Sequence, residues 1–203
     1  WIALLASFVS FLDGTVVTVA LPAIQRELGG GLTTQQWVVD SYLITLGSLI
    51  LVAGSLSDVL GRLFVLRIGL IGFGITSIAI AAAPTPEFLI VARALQGVAG
   101  ALLVPSSLAL ITANFRGPAQ ARAIGIWTGA TTGAMIAGPV LGGVFVDLLS
   151  WRLVFLINVL PIAVTLWLLI RLGHDDVRRE GARVDILGAV LCTLGLGGFV
   201  YAL

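Results

Sequence analysis

The chain has 203 residues, 59% of them hydrophobic and only 10% charged, with a formal net charge of +1. A soluble domain carries about 25% charged residues, so this sequence cannot clothe a water-facing surface, and its charge gives no ground for a nucleic-acid partner. The apolar runs are continuous rather than alternating, which argues against a β-barrel and predicts an all-α, polytopic transmembrane helical bundle.

Taken in order, six apolar stretches of bilayer-spanning length are expected at about 1–21, 37–57, 63–83, 88–113, 121–146 and 153–172. Pro22 is expected to end the first, and the polar, glycine-rich stretch 25–36 to form a loop. Two prolines make a tight turn at 84–87. The segment 173–184 is the most charged and reads as a loop outside the membrane, and a seventh helix is expected to begin near Asp185 and run to the end. The domain division is therefore 1–172 as a six-helix transmembrane unit, 173–184 as a loop and 185–203 as the start of a seventh helix. The chain opens at Trp1 and closes at Leu203 inside apolar runs, so it reads as part of a longer protein.

All eleven basic residues are arginines. Eight of them (Arg62, Arg67, Arg116, Arg122, Arg171, Arg178, Arg179 and Arg183) fall in loops on one side, against Arg26 and Arg152 on the other. Arginine-rich loops stay in the cytoplasm, which puts the 58–67 turn, the 173–184 loop and the N-terminus there.

Three ionisable residues stand where lipid is expected. Asp13 lies within the first span; it faces water at a cavity rim, or caps a local break with Gly14, or faces the bundle interior. A carboxylate sheltered from water is a candidate for proton exchange near neutral pH or for holding a cationic substrate. Asp40 follows Trp37 by three residues and reads first as a solvated interfacial carboxylate, with proton or substrate contact as the other reading. Arg93, Gln96, Gly97 and Gly100 are spaced i, i+3, i+4, i+7, on one helical face. Arg93 either snorkels to the headgroups or turns inward to hold a carboxylate or an anion. A guanidinium keeps its charge, so it does not itself carry the proton.

Small residues repeat along the fifth span at Gly125, Gly129, Gly133 and Ala137, followed by Gly138-Pro139 and Gly142-Gly143. Such spacing lets helices pack backbone to backbone, and Pro139 removes one ladder donor. The sequence contains no P-loop, no Gly-x-Ser-x-Gly and no metal-ligand spacing. No enzyme activity, cofactor, metal or use of ATP is predicted.

Together these stretches resemble the major facilitator superfamily. The turn Gly54-x-Leu56-x-Asp58-x-x-Gly61-Arg62-x-x-x-x-Arg67 is similar to its loop between helices two and three. Arg93-Ala94-Leu95-Gln96-Gly97-Val98-Ala99-Gly100-Ala101 resembles its helix-four motif, tied to proton coupling. Gly138-Pro139-Val140-Leu141-Gly142-Gly143 resembles the helix-five motif of exporters. Leu12 to Pro22 and Trp151-Arg152-x-x-Phe155-x-x-Asn158 resemble helix one and the start of helix six in the 14-helix drug:proton antiporters.

The resemblance implies the N-terminal six-helix half of an alternating-access exporter in a bacterial plasma membrane, working with a C-terminal half. Its partners would be lipid, protons and small amphipathic or cationic molecules. Asp13, Arg93, Gln96 and Asp40 become candidates for proton coupling or substrate contact. Gly54, Asp58, Gly61, Arg62 and Arg67 become a conformational lock, with Asp58 reaching the other half or a helix N-terminus and the arginines holding Asp58 and the loop. Gly129, Gly133, Gly138, Pro139, Gly142 and Gly143 become a helix-packing seam. A solute importer of the same superfamily and a non-transporting membrane scaffold or receptor are the alternative readings.

Overall fold

A computed structural model describes residues 1–172 continuously and, beyond them, only the helical residues Leu191, Leu194, Gly195 and Gly198. The loop expected at 173–184 and the seventh helix as a whole lie outside the described residues. All described regular structure is helical: α1 (Ile2–Leu28), α2 (Gly31–Leu60), α3 (Arg62–Ala81), α4 (Pro86–Asn114), α5 (Gly117–Leu148), α6 (Arg152–Leu156) and α7 (Val159–Leu172). Six spans are long and apolar enough to cross a membrane, the sixth being α6 and α7 together. The chain is an integral membrane protein.

Three local expectations are corrected. Helix α1 does not end at Pro22 but continues through it to Leu28. Ile24 beyond the proline is buried in the same apolar layer as Val17, Ala20 and Val38, which holds the extra turns in place. The loop expected at 25–36 shrinks to Gly29 and Gly30, with φ of 81° and 91°. Two glycines in the left-handed region reverse the chain in minimal length, and the side chains of Gln25 and Gln35 pair across the reversal.

The sixth span is the third correction. It is not one helix: the ladder breaks at Ile157 and Asn158. Pro161 explains the break, because its ring opposes the Ile157 carbonyl and it has no N–H to donate. The Asn158 amide donates instead to the Phe155 carbonyl, three residues back, at 3.2 Å.

Helix α4 packs on α1, α2 and α3, and α1 also packs on α5. Lipid gives helices no hydrophobic reason to associate, so close approach must come from small residues. A Cβ on Gly97 of α4 would stand 2.4 Å from the Tyr42 carbonyl of α2, and one on Gly69 of α3 would stand 3.2 Å from the Ala99 carbonyl of α4. Thr45 reinforces the α2–α4 contact by donating to the Ala94 carbonyl at 2.9 Å.

The core has two apolar layers. One gathers Val16, Ala20, Ile80, Leu89 and Phe155; the other gathers Val9, Phe73, Ala99, Leu103 and Ile162. Between them, on α1, α3, α4 and the α6–α7 break, fall Asp13, Ser77, Gln96 and Asn158, all fully buried. Asp13 is eleven residues from the start of α1, about 17 Å at 1.5 Å per residue. That is roughly half of the ~30 Å hydrocarbon thickness of a bilayer.

Candidate functional site

The polar layer is one connected network. Arg93 on α4 donates from Nη1 to Asp13 Oδ2 on α1 at 2.5 Å and to Gln96 Oε1 at 2.6 Å. Its Nε donates to the Val38 carbonyl of α2 at 3.0 Å. Gln96 Nε2 lies 3.2 Å from Asp13 Oδ1 and 2.9 Å from the Ser77 hydroxyl of α3. Asn158, at the α6–α7 break, donates from Nδ2 to Asp13 Oδ1 at 2.7 Å. The guanidinium carbon of Arg93 sits 4.2 Å above the Tyr42 ring and 5.8 Å from the Phe155 ring.

Of the two readings of Arg93, the inward one holds: the side chain is fully buried and pairs with Asp13 rather than reaching the headgroups. Asp13 is likewise fully buried rather than at a water-facing rim. Each of the two charges has the other as its counterion, which is the condition for keeping ionised groups away from water. The pair joins α1 to α4, with α3 and the α6–α7 break held to it through neutral amides. Any event that adds a proton to Asp13 or draws Arg93 away changes contacts on all of these elements at once.

Asp40 is not part of this network; it lies exposed on α2. Its neighbour Tyr42 is the residue that faces inward, with its hydroxyl 3.1 Å from the Ser10 hydroxyl of α1. The interior therefore includes Asn158, Tyr42, Ser77 and Ser10, which sequence reasoning did not place in it. Asn158 left a signal: it is a lone amide in an otherwise apolar span.

The charged turn is a separate constellation. Gly61 joins α2 to α3 with φ 103° and ψ 137°, a conformation that favours glycine. Arg62 Nη2 lies 3.2 Å from Asp58 Oδ1, and Arg62 Nη1 donates to the Ala109 carbonyl of α4 at 2.9 Å. Arg67 donates to the Leu169 carbonyl of α7 at 3.1 Å. The arginines thus tie the turn to α4 and α7 of this same helical unit. Gly54 lies over Pro105, where an added Cβ would stand 3.8 Å from the proline Cβ, in ordinary contact.

On α5, only part of the small-residue series meets another helix. Added Cβ atoms at Gly138 and Gly142 would stand 2.1 Å from Thr15 Oγ1 and 3.0 Å from the Val16 carbonyl of α1. Gly129, Gly133 and Gly143 have open space on that side, and Pro139 is exposed. Among the described residues, no group of three or more His, Cys, Asp or Glu side chains comes together as metal ligands would.

This helical bundle with a polar layer between two apolar ones is the architecture of a membrane transporter. The sequence profile of the Major Facilitator Superfamily matches residues 3–201, and the chain belongs to that superfamily, a class of transporters rather than of enzymes. It is 40% identical to the puromycin resistance protein pur8 of Streptomyces alboniger over 99% of this chain and 40% of that protein. Identity is 38% to the multidrug resistance protein Stp of Mycobacterium tuberculosis, over 98% of this chain and 37% of that protein. It is 36% to the tetracenomycin C resistance and export protein of Streptomyces glaucescens, over 95% of this chain and 36% of that protein. The chain spans about two fifths of the length of these curated relatives.

Solved structures agree on the fold. A peptide transporter POT in complex with alafosfalin superposes with a TM-score of 0.75 at 14% identity, covering 99% of this chain and 44% of that one. The inward open xylose transporter XylE from E. coli gives 0.68 at 18% identity, covering 99% and 54%.

Proposed function

We propose that this chain is the N-terminal half of a proton-coupled exporter of small amphipathic or cationic molecules, working by alternating access in a bacterial plasma membrane. The observation that carries the proposal is the fully buried Asp13–Arg93 pair, linked to α2, α3 and the α6–α7 break at mid-depth. The names of the resistance and export relatives support drug-like cargo.

In this reading Asp13 takes up and releases the proton. In its ionised form it binds Arg93 and Asn158; when protonated it loses its claim on the guanidinium, and Arg93 and Gln96 change partners. Proton and cargo bias the same two states of the protein, so an inward proton drives an outward cargo molecule. Asp40, exposed on α2, serves at most as an entrance charge. Asp58, Gly61, Arg62, Arg67 and Gly54 form the conformational lock, fastening the α2–α3 turn to α4 and α7 in one state. Gly138 and Gly142 form the seam between α5 and α1, with Pro139 beside it on the exposed face, while Gly129, Gly133 and Gly143 face away from α1. The arginine asymmetry of the loops supports a cytoplasmic N-terminus with the 173–184 segment on the same side, and the apolar run from 185 onward supports a seventh helix there.

The test uses the full-length transporter in inside-out vesicles with an acidic interior. Candidate compounds are added and proton release is followed with a pH-sensitive dye. Compound-dependent release, abolished by Asp13→Asn or Arg93→Ala, supports the proposal. No release across a broad panel, from protein shown to be folded, rejects it.

A further inference from the structure

A second polar cluster closes one end of the helical unit. Glu27, in the last turn of α1, accepts from the Trp151 indole Nε1 at 2.6 Å through Oε2, and its Oε1 pairs with Arg152. Arg152 also donates from Nη2 to the Ala83 carbonyl after α3 at 3.2 Å, and its guanidinium carbon lies 4.4 Å over the Trp151 ring. Trp151 is 2% exposed. One carboxylate thus fastens the start of α6 to the ends of α1 and α3.

Helix α6 is only five residues long, and it leads directly to the buried pair. The Trp151 ring meets Phe155 edge-on, with centroids 6.2 Å apart at 87°. Phe155 in turn faces Arg93, and Asn158, three residues further on, donates to Asp13. The ladder is broken at 157–158, and Asn158 is held from both sides: its N–H donates to the Phe155 carbonyl of α6 and its carbonyl accepts from the Ile162 N–H of α7, each at 3.2 Å. Its position therefore depends in part on α6, and α6 is pinned at its other end by Glu27. An edge-on aromatic pair and a bidentate carboxylate are both directional contacts, so together they fix the rotation as well as the depth of the short helix.

We infer that Glu27 and Trp151 are positioning residues for the Asp13–Arg93 pair: their clasp sets α6, and α6 presents Phe155 to Arg93 and Asn158 to Asp13. The inference rests on the reading of Asp13 as the coupling carboxylate. Glu27 and Asp13 are 14 residues apart on α1, about 21 Å along the helix axis. At such a separation, independent sites contribute additively. Coupling between them would have to run through α6.

Two measurements on the full-length transporter test this. The first needs no transport: hydrogen exchange of purified protein in lipid nanodiscs, comparing wild type with Glu27→Ala and with Trp151→Phe. The phenylalanine keeps a ring against Phe155 and loses only the indole N–H, so it guards against a general loss of folding. Faster exchange over 152–162, reaching the amides of Asn158 and Ile162, supports the inference. A change confined to residues next to Glu27 overturns it.

The second measurement is a double-mutant cycle on compound-driven proton release per folded transporter. Glu27→Ala and Asn158→Ala are each expected to slow release about tenfold, and together by far less than the roughly hundredfold product that independent sites give. Exposed Glu87, combined with Asn158→Ala in the same way, is expected to behave additively. Additive behaviour of Glu27 as well overturns the inference. If wild type itself releases no protons, the coupling function fails while the exchange result still decides whether the clasp positions α6.

Discussion

Arg93 Nη1 stands 2.5 Å from Asp13 Oδ2, with both side chains fully buried and 80 positions apart in sequence. Each charge is tolerable only because the other is there. Removing one leaves the other unpaired, which costs about 3–5 kcal/mol in a buried setting. Arg93→Gln should therefore destabilise the purified transporter by that order. Combining it with Asp13→Asn should restore most of the loss, because two neutral amides can still bond. Thermal unfolding of the three variants checks this, and a double variant no more stable than Arg93→Gln would contradict it.

Glycines at the interior face and on the open face of the bundle should behave oppositely. A Cβ at Gly97 would fall 2.0 Å from Thr45 Oγ1 and 2.4 Å from the Tyr42 carbonyl. The threonine can rotate but the carbonyl cannot, so Gly97→Ala should cost about 1–3 kcal/mol by overpacking. Gly129 meets nothing within 4 Å, and Gly129→Ala should be neutral or slightly favourable within this helical unit, since alanine suits a helix better. Melting temperatures of the two variants should move in opposite directions or differ clearly.

Within the charged turn the backbone matters more than the ion pair. Gly61 at φ 103° places any side chain in strain, about 1–3 kcal/mol. The Asp58–Arg62 pair is 39% and 27% exposed at its two side chains, and partly exposed pairs contribute about 1 kcal/mol or less. Gly61→Ala should lower stability more than Asp58→Asn. Chemical denaturation in detergent would rank them, and the reverse order would show that the carboxylate has a stronger partner than Arg62.

The α1–α5 contact rests on two glycines of the series. Gly138→Val should disrupt it, because even a Cβ meets Thr15 Oγ1 at 2.1 Å and the Val16 amide nitrogen at 3.1 Å, whereas Gly143→Val has open space. Folded yield after membrane extraction should fall for the first and hold for the second. Equal losses would place another helix against Gly143.

Helix number and rough extent were legible in the sequence because apolar length alone decides whether a segment can span a bilayer. The face carrying Arg93, Gln96, Gly97 and Gly100 was legible for a similar reason: helical periodicity is a local property. Helix ends were less so. Pro22 signals an end, yet burial of Ile24 beyond it carries α1 on to Leu28. The break at 157–158 follows from Pro161, but an apolar run conceals it from a hydropathy reading.

By itself the sequence determined that this is a helical membrane protein of the major facilitator superfamily, with charges that lipid would reject at Asp13 and Arg93. It could not say that these two charges face each other, nor that Asn158 completes the carboxylate's shell while Asp40 stays outside. It could not show that Glu27, Trp151 and Arg152 lock one end of the unit. Those contacts join residues from 80 to 145 positions apart. Burial penalises a charge wherever it occurs along the chain, but only the packing of α1 against α4 and α6 decides which distant group removes the penalty.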